Sequence, residues 1–159
     1  MAIKKITDSL IDETLEKARQ SSRKRAMHCF SAAHETVQHM LNTCLNGTYV
    51  QPHKHEDPDK TEIISILRGR MAVFTFDDNG KISTCTILDV NGSDKALEIP
   101  PGIWHNMMVV GIEAVVHEII TGPYEAESHK KFALFSPPEN EIEKAGSYLK
   151  NLEERASNH

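Results

Sequence analysis

Apolar positions recur along this chain with two different spacings. Near the start, Leu10, Ile11, Leu15 and Ala18 return every three or four residues among charged ones. They follow Thr7, Asp8 and Ser9, side chains suited to the free amides of a helix start, so the spacing predicts an amphipathic helix over residues 8 to 25. Near the end, Pro137 and Pro138 open a segment in which Ile142, Ala145, Leu149 and Leu152 form one stripe among Glu and Lys, a second surface helix. Between them the period shortens to extended runs over 37–45, 47–53, 62–68, 71–76, 82–88, 96–99, 103–110 and 113–120, the mark of a sandwich or barrel. Asp77-Asp78-Asn79-Gly80 carries a hairpin signal, and Asp57-Pro58-Asp59 marks a turn that places Glu62 at the start of a strand. No repeat or linker interrupts the pattern. It divides into a helical segment at 1–36, a barrel at 37–135 and a terminal helix at 136–159.

A length of 159 residues suits one domain. Eighteen Lys and Arg against 23 Asp and Glu give a net charge of -5, and the longest basic run is Arg23-Lys24-Arg25, so nucleic acid is not an expected partner. No apolar run nears the roughly eighteen residues of a membrane span, and Met1-Ala2-Ile3-Lys4-Lys5 leads into polar sequence. A soluble, cytoplasmic protein with no membrane partner is the expectation. Cys29, Cys44 and Cys85 are odd in number and widely spaced, which fits neither a disulfide framework nor a thiolate zinc site. Of nine histidines, His34, His129 and His159 lie among polar neighbours and read as surface residues, while His39 and His117 lie in strand-like stretches.

The candidate chemistry begins with His53 and His55. Residues i and i+2 of a strand share a face with Cα atoms roughly 6 to 7 Å apart, so both rings can reach one ion at about 2.0 to 2.1 Å from each nitrogen. About fifty residues later comes Pro100-Pro101-Gly102-Ile103-Trp104-His105. Without this context the pair would more often be surface histidines. Gly47, Glu62, Gly69 and the distant Pro-x-Gly-x-x-His together argue for a divalent-metal pocket.

Gly47 through His53, His55 and Glu62 to Gly69 resembles the first cupin motif, with a longer His-to-Glu gap that falls in the Asp-Pro-Asp turn. Pro100-x-Gly102-x-x-His105 resembles the second, departing from it at Asp94 and Val109. Arg25-Ala26-Met27-His28, Met40-Leu41-Asn42, Gly47 through His55 and Gly122-Pro123-Tyr124 are similar to WbuC-like cupin metalloproteins, small bacterial proteins associated with surface-polysaccharide genes. The resemblance implies an all-β double-stranded β-helix, a jelly-roll barrel flanked by the two helices, with His53, His55, Glu62 and His105 as metal ligands. Glu62 is either a ligand or, given its longer loop, an outer partner that orients a ring or a water. The ion is one divalent transition metal, iron, manganese, nickel, cobalt, copper or zinc.

Strand alternation nominates the rest of the lining. With His53 and His55 inward, Tyr49 and Gln51 follow, and Met107 and Val109 accompany His105. Tyr49 is either a hydroxyl donor to a ligand or an aromatic core filler. Asn42 shares a face with Met40 and needs a buried partner or a ligand. Glu118, in phase with Val116 and Ile120, is either an acid or base or a strand-edge ion pair. Arg25 and His28 gain interest from the resemblance alone: an arginine there suits a carboxylate or phosphate, or else ends a helix favourably. The expected function is a metal enzyme, an isomerase or dioxygenase, acting on a small polar molecule, with a non-catalytic binding module as the alternative and a structural storage cupin last. Jelly-roll edges are often covered by a second subunit, so a homodimer is also expected.

Overall fold

In the computed structural model, which describes residues 3–157, two helices clasp one curled antiparallel sheet. Helix α1 spans Asp8–Gln20, and the strands are β1 (Arg25–Cys29), β2 (Val37–Leu45), β3 (His53–Lys54), β4 (Glu62–Phe76), β5 (Ile82–Asp89), β6 (Ala96–Ile99), β7 (Trp104–Thr121) and β8 (Lys131–Phe132), followed by helix α2 (Ile142–Ala156). The expected all-β jelly roll with a helix at each end is the architecture found. His159 lies outside the described residues.

Strands β4 and β7 pair antiparallel over most of their length and form the spine. β2 and β3 add to β7, β5 and β6 add to β4, β1 adds to β2, and β8 adds to β3. Each spine strand was expected as two strands, 62–68 with 71–76 and 103–110 with 113–120, the breaks falling at Gly69 and Gly111. They are bends instead. Gly69 has φ +72 and lies so close to the Glu113 carbonyl that a Cβ would strike it. The register skips Leu67 and Arg70 on β4 and Val110 to Glu113 on β7, which moves the inward face from one set of alternate residues to the other. Hence Glu62, Ile64 and Ile66 point inward before the bend in β4, and Met71 and Val73 after it. On β7 the inward residues are Met107 and Val109, then Ala114 and Val116.

This interior is one of three apolar layers. On the outer face Leu41 and Val115 pack under Ile11 and Leu15 of α1, and Phe74 and Met108 pack under Leu149 and Leu152 of α2. The Thr7 hydroxyl accepts from Leu10 N and starts α1. The expected helix over 8–25 ends at Gln20, because the chain extends at Ser21, Lys24 takes φ 55 and Arg25 enters a strand. The expected strand over 47–53 is reduced to His53–Lys54. Before it the chain is tied by isolated bonds, such as Thr48 Oγ1 to the Lys24 carbonyl, instead of a ladder. The Asn79-Gly80 hairpin forms as expected, joining Phe76 to Ile82.

Candidate metal centre

At one end of the barrel the apolar interior gives way to four buried ligand-type side chains, His53, His55, Glu62 and His105. Their donor atoms all lie within 4.8 Å of one another. His53 and His105 are direct cross-strand partners on β3 and β7. Glu62 opens β4, and its Oε2 lies 3.1 Å from His55 Nε2 and 3.0 Å from His105 Nε2, so the longer approach loop does not hold it back. The turn before β7 is tied to the pair as well: Gly102, at φ +77, donates its N–H to the His55 carbonyl at 3.0 Å.

Each ring is oriented by its other nitrogen. His53 Nδ1 meets the Gln51 carbonyl at 2.9 Å, His105 Nδ1 the Ile103 carbonyl at 2.8 Å and His55 Nδ1 the His129 carbonyl at 2.6 Å. A carbonyl only accepts, so each Nδ1 carries the hydrogen, and in the neutral ring each Nε2 presents a lone pair. Three lone pairs then face a carboxylate oxygen, acceptor against acceptor, in a place without solvent. His105 Nε2 is buried with no hydrogen-bond partner. Such an arrangement is repulsive unless a cation lies among the acceptors, and a donor set of three imidazoles and one carboxylate fits a divalent transition metal.

Electrostatics agree with a neutral ring at His53. Burial, reinforced by Lys130 and by His105, holds His53 well below the usual imidazole value of 6.5. Glu118 is the reverse case: burial, then the neighbouring Glu62, push it up to about 8.

Glu118 and Asn42 point into the barrel, with Asn42 Nδ2 donating to Glu118 Oε2 and the Glu118 carboxyl bonded to Glu62. Gln51 is buried beside the cluster, its amide donating to the Ala133 carbonyl. Met107 lies deeper, in the apolar interior. Arg25 pairs with Cys44 on the inward side of β2 and lines a cavity with Asn42 and Glu118. Two nominated residues are not brought to the cluster. The Tyr49 hydroxyl donates to the Pro137 carbonyl at 2.8 Å and its ring packs against Tyr148 of α2, so the inward alternation stops before the chain reaches it. His28 registers with outward-facing Leu41 and packs edge-on against Phe30, on the opposite side of the sheet from Arg25.

His129 is not the surface residue expected. Its ring packs 5.0 Å from that of His55, and burial, then its neighbours His55, Lys130 and Lys60, bring it down to about 4. The sequence around it carries no motif. Its placement depends on long-range contacts, including buried Lys60 donating to the Pro123 carbonyl.

A family model described as Domain of unknown function (DUF6016) matches residues 6–88, just over half the chain. The chain belongs to the DUF6016 family. The matched stretch runs from α1 into β5 and includes His53, His55 and Glu62, while His105 lies beyond it. No curated protein matches the DUF6016 chain in sequence. Among solved structures it is similar to protein SO0799 from Shewanella oneidensis, at 10% identity over 87% of this chain and 92% of that one, with TM-score 0.59. It is also similar to CapF, the capsular polysaccharide assembling protein of Staphylococcus aureus, at 18% identity over 70% of this chain and TM-score 0.56; the DUF6016 chain spans 32% of CapF. KdgF from Halomonas sp. matches at 14% identity over 65% of this chain and 83% of its own, with TM-score 0.50. At these identities the likeness is one of fold. No helix among the described residues is long and apolar enough to cross a membrane.

Proposed function

We propose that this DUF6016 protein is a divalent-metal enzyme acting on a small polar metabolite, and that its ion is held by His53, His55, Glu62 and His105. The observation that carries this is the convergence of three Nε2 lone pairs on one carboxylate, each ring locked by a carbonyl behind it. A divalent ion bound there would supply a Lewis acid able to polarise a carbonyl or acidify a water. The protein's own part is orientation and proton transfer. Glu118, its proton held by burial at neutral pH, is the acid we assign, one hydrogen bond from the cluster and fixed by Asn42. Tyr49 is not assigned this role, because its hydroxyl is spent on Pro137. A place in bacterial surface-sugar metabolism follows from the WbuC-like resemblance alone.

Elemental analysis of anaerobically prepared protein tests the metal: near one equivalent per chain is expected, and none overturns the reading. Incubation with a panel of sugars and sugar acids, with and without oxygen, tests the reaction. Turnover without oxygen across several divalent metals identifies an isomerase. Dependence on iron and oxygen identifies a dioxygenase. Tight binding without turnover replaces the enzyme by a binding module.

A further inference from the structure

Beside the cluster lies a cavity of about 410 Å³ whose lining includes Arg23, Arg25, Asn42, Glu118, Lys130 and Phe132. Its basic residues are unevenly neutralised. Arg25 grips Glu139 with one guanidinium nitrogen at 2.6 and 2.8 Å and the Tyr49 carbonyl with another at 2.6 Å, while Arg23 reaches the same Glu139 at 2.7 Å. One carboxylate thus serves two guanidiniums. Lys131, the next residue along from Lys130, points outward and pairs with Glu56 at 2.5 Å, as does Lys54 at 2.7 Å. Lys130 is half-buried, and no acidic group among the described residues lies within ion-pair distance of it. It lines the same cavity as Glu118 and His129. Even with Glu118 ionised, the lining is positive in a chain of net charge -5. The cavity also includes His129, whose Nδ1 is buried without a partner, and Tyr124, whose ring packs 4.9 Å from it. A half-buried ammonium that no carboxylate of the protein neutralises leaves its charge and its donors available to an anionic ligand.

We infer that this cavity takes the oxyanion group of the metabolite, a carboxylate or a phosphate, with Lys130 as its anchor, Arg23 and Arg25 as the positive wall, and Tyr124 and Phe132 against its carbon body. The inference narrows the substrate class of the metal-enzyme reading and rests on it for the neighbouring centre.

The test is calorimetric titration of the metal-loaded full chain with malonate, inorganic phosphate and, as a neutral control, glycerol, with elemental analysis of the same samples. The proteins are wild type, Lys130→Gln, Lys130→Met, Lys130→Arg and Lys131→Gln. Wild type is expected to bind at least one anion and not glycerol, and the tighter anion tells a carboxylate site from a phosphate site. Lys130→Gln and Lys130→Met should weaken that binding about tenfold or more at unchanged metal content. Lys130→Arg should stay within about threefold of wild type, since it keeps the charge, and Lys131→Gln should match it. No anion binding by wild type, or equal binding by the Lys130→Gln and Lys130→Met proteins, overturns the inference. Protein that lacks metal yet binds anions through Lys130 removes the metal centre and leaves the anion site standing.

Discussion

Two groups of three histidines lie on opposite faces of the same sheet, and among the described residues only the inner one has a donor set that could hold an ion. Inside, His53, His55 and His105 are buried, each Nδ1 bonds a backbone carbonyl, and a carboxylate closes the group. Outside, His39 and His117 approach Nδ1 to Nε2 at 3.3 Å, His39 stacks on Phe30 at 4.8 Å, and His28 meets the edge of the same ring. The outer group therefore spends one ring nitrogen on another ring and its faces on an aromatic. What separates the two is how the second nitrogen of each ring is engaged, since number and proximity are similar.

The largest expected effect breaks the inner group. His53→Ala combined with His105→Ala should abolish stoichiometric metal while leaving far-ultraviolet circular dichroism close to wild type; metal retained in the double variant would show that the ligands are misassigned. Glu62→Gln comes next. It keeps the shape and removes the charge, and should weaken metal affinity at least about 100-fold, measured by competition with a chelating dye.

Acid sharpens the comparison further. Metal should be released below about pH 6, because a ligating imidazole must be neutral, and occupancy unchanged at pH 5 would point to other ligands. In metal-free protein, the folded chain refuses at His53 a proton that the unfolded chain accepts near 6.5. That contribution to stability is present above pH 6.5 and lost as pH falls below it. Glu118 has the opposite sign: raised to about 8, its contribution is present below 4.5 and lost as pH rises through about 8. Metal-free Glu118→Gln, which lacks the opposing limb, should therefore lose more thermal stability between pH 7 and pH 5 than wild type; equal losses would mean that Glu118 does not titrate as described. The smallest effect is at the outer group. His39→Ala with His117→Ala should cost about 1 kcal/mol or less in denaturant unfolding and leave metal content unchanged.

The inner group was legible in the sequence because its candidate ligands sit at fixed spacings: two on alternate residues of one strand, one after a Pro-x-Gly turn, and Glu62 following Asp-Pro-Asp. Glu118 and Asn42 were legible from alternation within unbroken stretches of β7 and β2. Alternation failed where the chain departs from a regular strand. Tyr49 lies before β3 in a segment without ladder bonds, and carrying the His53 phase back to it puts it on the wrong side. Lys130 and His129 were not legible because nothing nearby fixes the loop that carries them; its position depends on Lys60, His55 and the β3–β8 pairing. The two spine strands were each read as two because glycines at a bend and at a turn look alike until the partner strand is in place.

The ring-to-carbonyl bonds carry a last consequence, for the proton inventory of loading. A neutral ring whose hydrogen is parked on Nδ1 already presents its lone pair, so an arriving cation expels no proton from it. Any acid set free into the buffer at neutral pH must come from the Glu62–Glu118 couple or from water carried in by the ion, so the heat of loading measured in buffers of different ionisation enthalpy counts those sources without interference from histidine.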